Sequence, residues 1–321
     1  MGGAWEDPRI RPVPPSRAIM GEYGNQRLGL PLLVQILEEH DLAATFFVEP
    51  FTEEQGHPGQ TEPICQFLLD QRQDVQLHVH PCHQQYGLWR QGLTCPQIDE
   101  LADLPLGVQR DLLGAGCQRI EQWTGRRPVA FRAGNMAANE DSLEQMAALG
   151  IRIDSSYTFP YLGGQCKFAD TQRYNGSRWY GHVLELALSG FYQPRLPGLH
   201  RAKPLDLVGV SFQECRDAIR LICDAGADAV VILHSFSLIK VRDVQYNGGR
   251  LNRIVARRFR RLCEWLALHA EQYPTYTFAQ LAEALDADGY EARAVPPCKL
   301  RRPLRALTRK AVQAVNRFYW V

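Results

Sequence analysis

Several features are scarce in this chain, and each absence narrows the reading. Its 321 residues carry 36 Lys and Arg against 35 Asp and Glu. With no excess of either sign, the chain makes no general case for nucleic-acid binding. There is no C-x-x-C. The nine cysteines stand singly at 65, 82, 95, 117, 166, 215, 223, 263 and 298. An odd, scattered set does not suit a disulfide framework and reads as reduced thiols in a cytoplasmic protein. No apolar run approaches the roughly 18–20 residues of a membrane span. The opening "MGGAWEDPRIRPVPPS" lacks the apolar core of a secretory signal. Internal repeats and low-complexity linkers are absent too, so one barrel-sized domain is expected.

What is present is alternation. "LPLLVQILEEH" (30–40) has helical spacing and precedes the buried-strand pattern "AATFFVEP". A helix over 62–73 leads into "DVQLHVHP", and "VQRDLLGAGCQRIEQWTG" leads into "RPVAFRAG". "NEDSLEQMAALG" opens on an Asn cap, stops at Gly150 and feeds "IRIDSSY". "GHVLELALS", a helix over 211–225, the strand "DAVVILHSF", a helix over 250–271 and "FAQLAEALDADG" follow. Repeated strand–helix units predict a largely parallel sheet, open or closed, with chemistry at the carboxyl ends of its strands. The residues there are Glu49, His78, His80, Arg132, Asp154 and His234.

"VQLHVHPCH" is the densest of these strand ends. Residues two apart on a strand face the same side, so His78 and His80 project together, with His83 in the turn after Pro81. Imidazoles so placed suit a hydrolytic metal, and the plainer alternative is a solvated polar strand end. His234 emerges from an apolar strand, where a lone His is commonly structural. Arg132 can orient a carboxylate or simply pair with one. Trp89, Tyr157, Tyr161, Trp179 and Tyr180 are candidates for stacking on sugar rings, with core or loop packing as the alternative. Glu185 is open between a cleft position and a solvent-side one.

The order and wording of these segments, from "PLLVQILEEHDLAATFFVE" through "LHVHP", "RPVAFRAGN" and "GIRIDSS" to "ILHSF", resemble the NodB-type polysaccharide deacetylases, family 4 of the carbohydrate esterases, over about residues 26–286. The resemblance implies an α/β fold, a distorted (β/α) barrel in a single domain. It divides the chain into an N-terminal loop segment (1–25), a catalytic domain (26–290) and a basic amphipathic tail (291–321). It implies removal of an acetyl group from a glycan with a divalent metal, Zn²⁺ being expected. His78 and His80 would hold the metal, with His83 as a second choice for the partner of His78. Arg132 would orient the base, His234 would protonate the leaving group, and Asp154, Trp89 and Tyr157 would meet substrate.

Two departures stand out. The family spaces its metal histidines four apart, and the position four after His78 is Cys82. The family also carries an acidic pair on its first strand. Here Glu6 and Asp7 precede a proline without a strand, so the expectation is a start placed downstream of that motif, or a truncation. Two rival readings follow. One is a non-catalytic carbohydrate-binding relative. The other is an amidohydrolase-type metal hydrolase, whose His-x-His lies on its first strand and whose late strand ends in Asp.

From Lys299 onward the chain has seven Lys or Arg and no carboxylate. Leu304, Leu307, Ala311, Val315 and Phe318 follow helical spacing among them. Such a helix can dock on a membrane surface or pack back on its own domain.

Overall fold

The computed structural model describes residues 12–195, 201–287 and 289–318. Its centre is a seven-stranded sheet. The five parallel strands are β1 (Thr45–Val48), β2 (Asp74–Val79), β3 (Ala130–Ala133), β4 (Ile153–Asp154) and, after the antiparallel β5 (Asn175–Tyr180), β6 (Val183–Leu186). β7 (Ala294–Val295) closes the far side, so the spatial order is β7-β5-β6-β4-β3-β2-β1.

The helices are α1 (Leu30–Glu38), α2 (Glu62–Asp70), α3 (Pro81–Arg90), α4 (Leu106–Thr124), α5 (Glu140–Ala148), α6 (Phe212–Cys223), α7 (Arg253–Leu268), α8 (Phe278–Asp286) and α9 (Pro303–Phe318); all but α3, which holds His83 where a turn was expected, follow the helical patterns of the sequence. α5 shows why local sequence was legible. Asn139 accepts from Ser142 N at 2.9 Å in a reciprocal capping box, a device worth about 1 kcal/mol. Gly150 then takes the left-handed conformation (φ 80°) just beyond the helix end.

Strand alternation sorts the core into two sides. Val75, Leu77, Val79 and Phe131 pack under α2, α4 and α5. On the opposite face Ala130, Ile153, Leu184 and Leu186 pack with Phe278, Leu281 and Leu285 of α8. The N-terminus of α8 is pinned across the amino ends of β1 and β2, where Phe278 N donates to Thr45 Oγ1 and Ala279 N to Asp74 Oδ2. That leaves the carboxyl ends of the strands open for chemistry.

Two expectations need correction. "DAVVILHSF" is extended but forms only isolated bridges, Val230 with Leu188 and Ile232 with Asp206, because it runs between two segments and pairs fully with neither. No ladder joins it to β1 among the described residues. β1 is therefore an edge, and all four of its residues are partly exposed. Residues 15–27 form a helical turn and a short hairpin rather than a plain loop. Before α9, β7 joins the main sheet and Cys298–Lys299 pairs with Gly190–Tyr192.

Candidate metal and catalytic site

The carboxyl end of β2 gathers the imidazoles. β2 is laddered on both sides, with His78 opposite Arg132 of β3. The His78 and His80 rings meet edge to face at 5.0 Å, and His83, one turn into α3, stacks on His80 at 5.4 Å. His78 Nδ1 lies 2.6 Å from the Arg132 carbonyl oxygen, which can only accept. His80 Nδ1 lies 3.0 Å from both oxygens of Asp99. Each Nδ1 is thus the donor, which in the neutral ring leaves Nε2 as the lone pair with which histidine binds a metal. Gly134 makes the His80 position attainable. A Cβ there would sit 2.5 Å from His80 Nδ1.

Charge is distributed unevenly around this cluster. Burial and the neighbouring His80 push His78 well below the ordinary imidazole value, and burial takes His83 down to about 3. Burial would lower His80 too, but its hydrogen bond to Asp99 and that carboxylate's charge raise it. Asp99 resists its own desolvation and is held well below the usual carboxylate range by His80, Cys82 and Asn135. Glu49, at the end of β1, is pushed by burial up to about 7 despite accepting from His80 N and Phe51 N. Its Oε2 lies 3.8 Å from His83 Nδ1, a buried nitrogen without a hydrogen-bond partner.

The donor set fits a cation in more than one way. His80, Cys82 and Asp99 offer donor atoms all within 4.8 Å of one another. Sequence reasoning missed Asp99 because it stands in the irregular stretch 91–105 with Glu100 and Asp103 beside it, and nothing local marks which acid turns inward. Cys82 was noted only as the residue four after His78, and that spacing was the available signal.

His234 is exposed, stacked on Phe236 at 4.7 Å. Burial of its ring surroundings lowers its pKa, Asp206 opposes this, and the charges of Arg132 and His80 add to the lowering. His234 in turn acts on His78.

Other expected site residues fall elsewhere. Arg132 is buried and does not reach a site carboxylate. Its Nε and Nη2 donate to Ser155 O and Oγ at 3.0 and 2.8 Å, and it lies over the Phe47 ring. Asp154 pairs in register with Phe131 and Glu185, hence on the helix-covered face away from His78 and Arg132, and is fully buried. It cannot touch substrate. Tyr157 is also fully buried, stacked on Tyr174 at 4.3 Å with its hydroxyl on Gln172 O, so it is core packing. Glu185 faces neither cleft nor solvent. Trp89 leans on Tyr86 and is half-buried, while Trp179 and Tyr161 are exposed. Glu6 and Asp7 lie outside the described residues.

No protein-family model matches the chain, and no curated protein is similar to it in sequence. Solved structures are similar. A protein from Mycobacterium smegmatis assigned as a polysaccharide deacetylase superposes over 86% of this chain and 81% of its own, with TM-score 0.52 and 18% identity. The chain has the fold of the polysaccharide deacetylases. A family 4 carbohydrate esterase from Streptomyces lividans (TM-score 0.39, 14% identity, 74% and 80% covered) and PuuE allantoinase (0.49, 13%, 83% and 74%) are more distant, and nothing rests on them. Within the polysaccharide deacetylase fold, the histidine cluster lies at the carboxyl ends of the parallel strands, where the alternation predicted chemistry.

Proposed function

We propose that the chain is a divalent-metal hydrolase that removes acetyl groups from a glycan. The observation that carries this is the paired tautomer at the end of β2. His78 and His80 each spend Nδ1 on a fixed acceptor, and their rings meet edge to face at 5.0 Å. His80 and His78 would hold the ion, with Asp99 orienting His80 or joining it as a ligand together with Cys82. When bound, a divalent ion such as Zn²⁺ supplies polarisation of the acyl carbonyl and acidification of water.

The protein's own groups supply the proton traffic. Glu49, buried beside His80 and His83, is placed to take a proton from water. His234, whose pKa is lowered, would give a proton to the departing amine or alkoxide. Exposed Trp179 and Tyr161 and half-buried Trp89 are the aromatic surfaces left to meet a sugar ring.

One observation favours a second reading, a carbohydrate-binding protein without catalysis. Arg132 is committed to Ser155 rather than to a carboxylate in the site. The test is acetate release from N-acetylated chito-oligosaccharides and O-acetylated xylo-oligosaccharides, with added Zn²⁺ and after chelation. Release that chelation abolishes and Zn²⁺ restores is the expected outcome. Glycan binding without release from any substrate would select the second reading.

A further inference from the structure

α9 packs on the domain by the face that amphipathic helices normally turn outward. Arg309, almost fully buried, donates through Nε to Glu214 Oε2 at 2.9 Å and through Nη2 to Gln193 Oε1 at 2.6 Å. Gln313 Nε2 donates to Val208 O, Asn316 Nδ2 to Asn252 Oδ1, and Lys240 Nζ to Asn316 O. Arg305 pairs with Asp217. The underside of the helix is therefore polar and satisfied. The apolar stripe lies opposite. Leu304 is 76%, Leu307 49% and Val315 61% exposed, with Ala311 between them.

Such a stripe along one helix costs solvation and implies a partner. The charge around it says which. α9 contains no Asp or Glu, and Lys299, Arg301, Arg302 and Arg220 are exposed around its first turn. They border a cleft of about 420 Å³, where Glu214 and Asp217 are already paired with Arg309 and Arg305 and a third acid, Asp224, accepts from the Tyr273 hydroxyl. At the other end Val315 borders a larger cleft, about 840 Å³, lined by Arg250, Arg253 and Lys240 and by no acid. An apolar strip framed by cations at both ends matches the layering of an anionic bilayer surface, apolar acyl boundary beneath phosphate headgroups.

We propose that α9 docks the protein on anionic membrane surfaces, with Leu304, Leu307 and Val315 entering the interface and the flanking Lys and Arg meeting lipid phosphates. The two sequence readings of this helix, membrane docking and packing on its own domain, are thereby compatible, because different faces serve each.

The test is co-sedimentation of the full chain with vesicles. Binding is expected to phosphatidylcholine vesicles containing about a third phosphatidylglycerol and not to pure phosphatidylcholine. Arg301→Gln with Arg302→Gln should weaken it roughly fivefold per charge. Replacing Leu304, Leu307 and Val315 by Ser should weaken it by roughly a hundredfold with the thermal midpoint unchanged, since all three are exposed. No binding to anionic vesicles would overturn the proposal, as would binding indifferent to the triple change. A concentration-dependent dimer that the triple change abolishes, without vesicle binding, would assign the stripe to a second copy of the chain instead.

Discussion

β2 and the segment 229–234 both end in histidine, yet they are held very differently. β2 has a ladder on each side, and its histidine rings are clamped at Nδ1 by Arg132 O and by Asp99. The later segment has single bridges to Leu188 and Asp206, and His234 stacks its ring on Phe236 while its carbonyl accepts from Ser237 N. On the proposed function, the difference would suit two chemical tasks. Ligands must be preorganised, because every degree of freedom lost on binding weakens the ion. A proton carrier must swing between positions, and a looser mount serves it.

The largest effect expected is the one that would break this contrast. His78→Ala with His80→Ala should abolish metal retention, with acetate release falling by at least about 10³-fold, whereas His234→Ala should lower kcat by roughly 10²–10⁴-fold with metal content unchanged. Metal analysis of both variants beside the rates is the check. Loss of metal from His234→Ala would collapse the distinction.

A smaller effect sharpens the role of Asp99. If it orients His80, Asp99→Asn should weaken metal affinity by about 10–100-fold, and Cys82→Ser should leave affinity nearly unchanged. If the ion instead sits among His80, Cys82 and Asp99, Cys82→Ser should cost as much as Asp99→Asn. Competition titration against a chelator separates the two.

The smallest effect concerns the other pair of charged residues in the sheet, which the comparison sets apart from the site. Glu185 is raised well above the ordinary carboxyl value by burial, then by the charge of Asp154. A carboxyl raised in the folded state stabilises fully below its unfolded value and loses that contribution as pH rises through the folded value. Glu185→Gln removes this dependence. The parent should therefore lose thermal stability relative to the variant between mildly acidic and alkaline pH, by about 2–4 °C for each kcal/mol involved. Parallel melting curves across that range would refute a buried proton here. Metal content and turnover should not move.

Periodicity and capping were enough to place β1 to β4 and the helices α1, α2, α4 and α5, because those depend on neighbours in sequence, whereas α3 and β5 were not read. Asn139 capping α5 and the alternation in "VQLHVH" act within a few residues. The same alternation brought His78 and His80 to one side. It could equally have put Asp154 on the far face, but that required knowing which residues pair across strands, since a shift of one residue reverses every side chain. Tyr157 looked accessible for the same reason and is core. Asp99 became a site residue only when the loop 91–105 closed over His80, a contact across 19 positions that no local pattern encodes. α9 was legible as an amphipathic helix, while which face it would bury was decided by Glu214 and Gln193, far away in sequence, drawing Arg309 inward. Local propensity sets what each segment becomes. Only packing between distant segments sets which side of it meets the rest of the molecule.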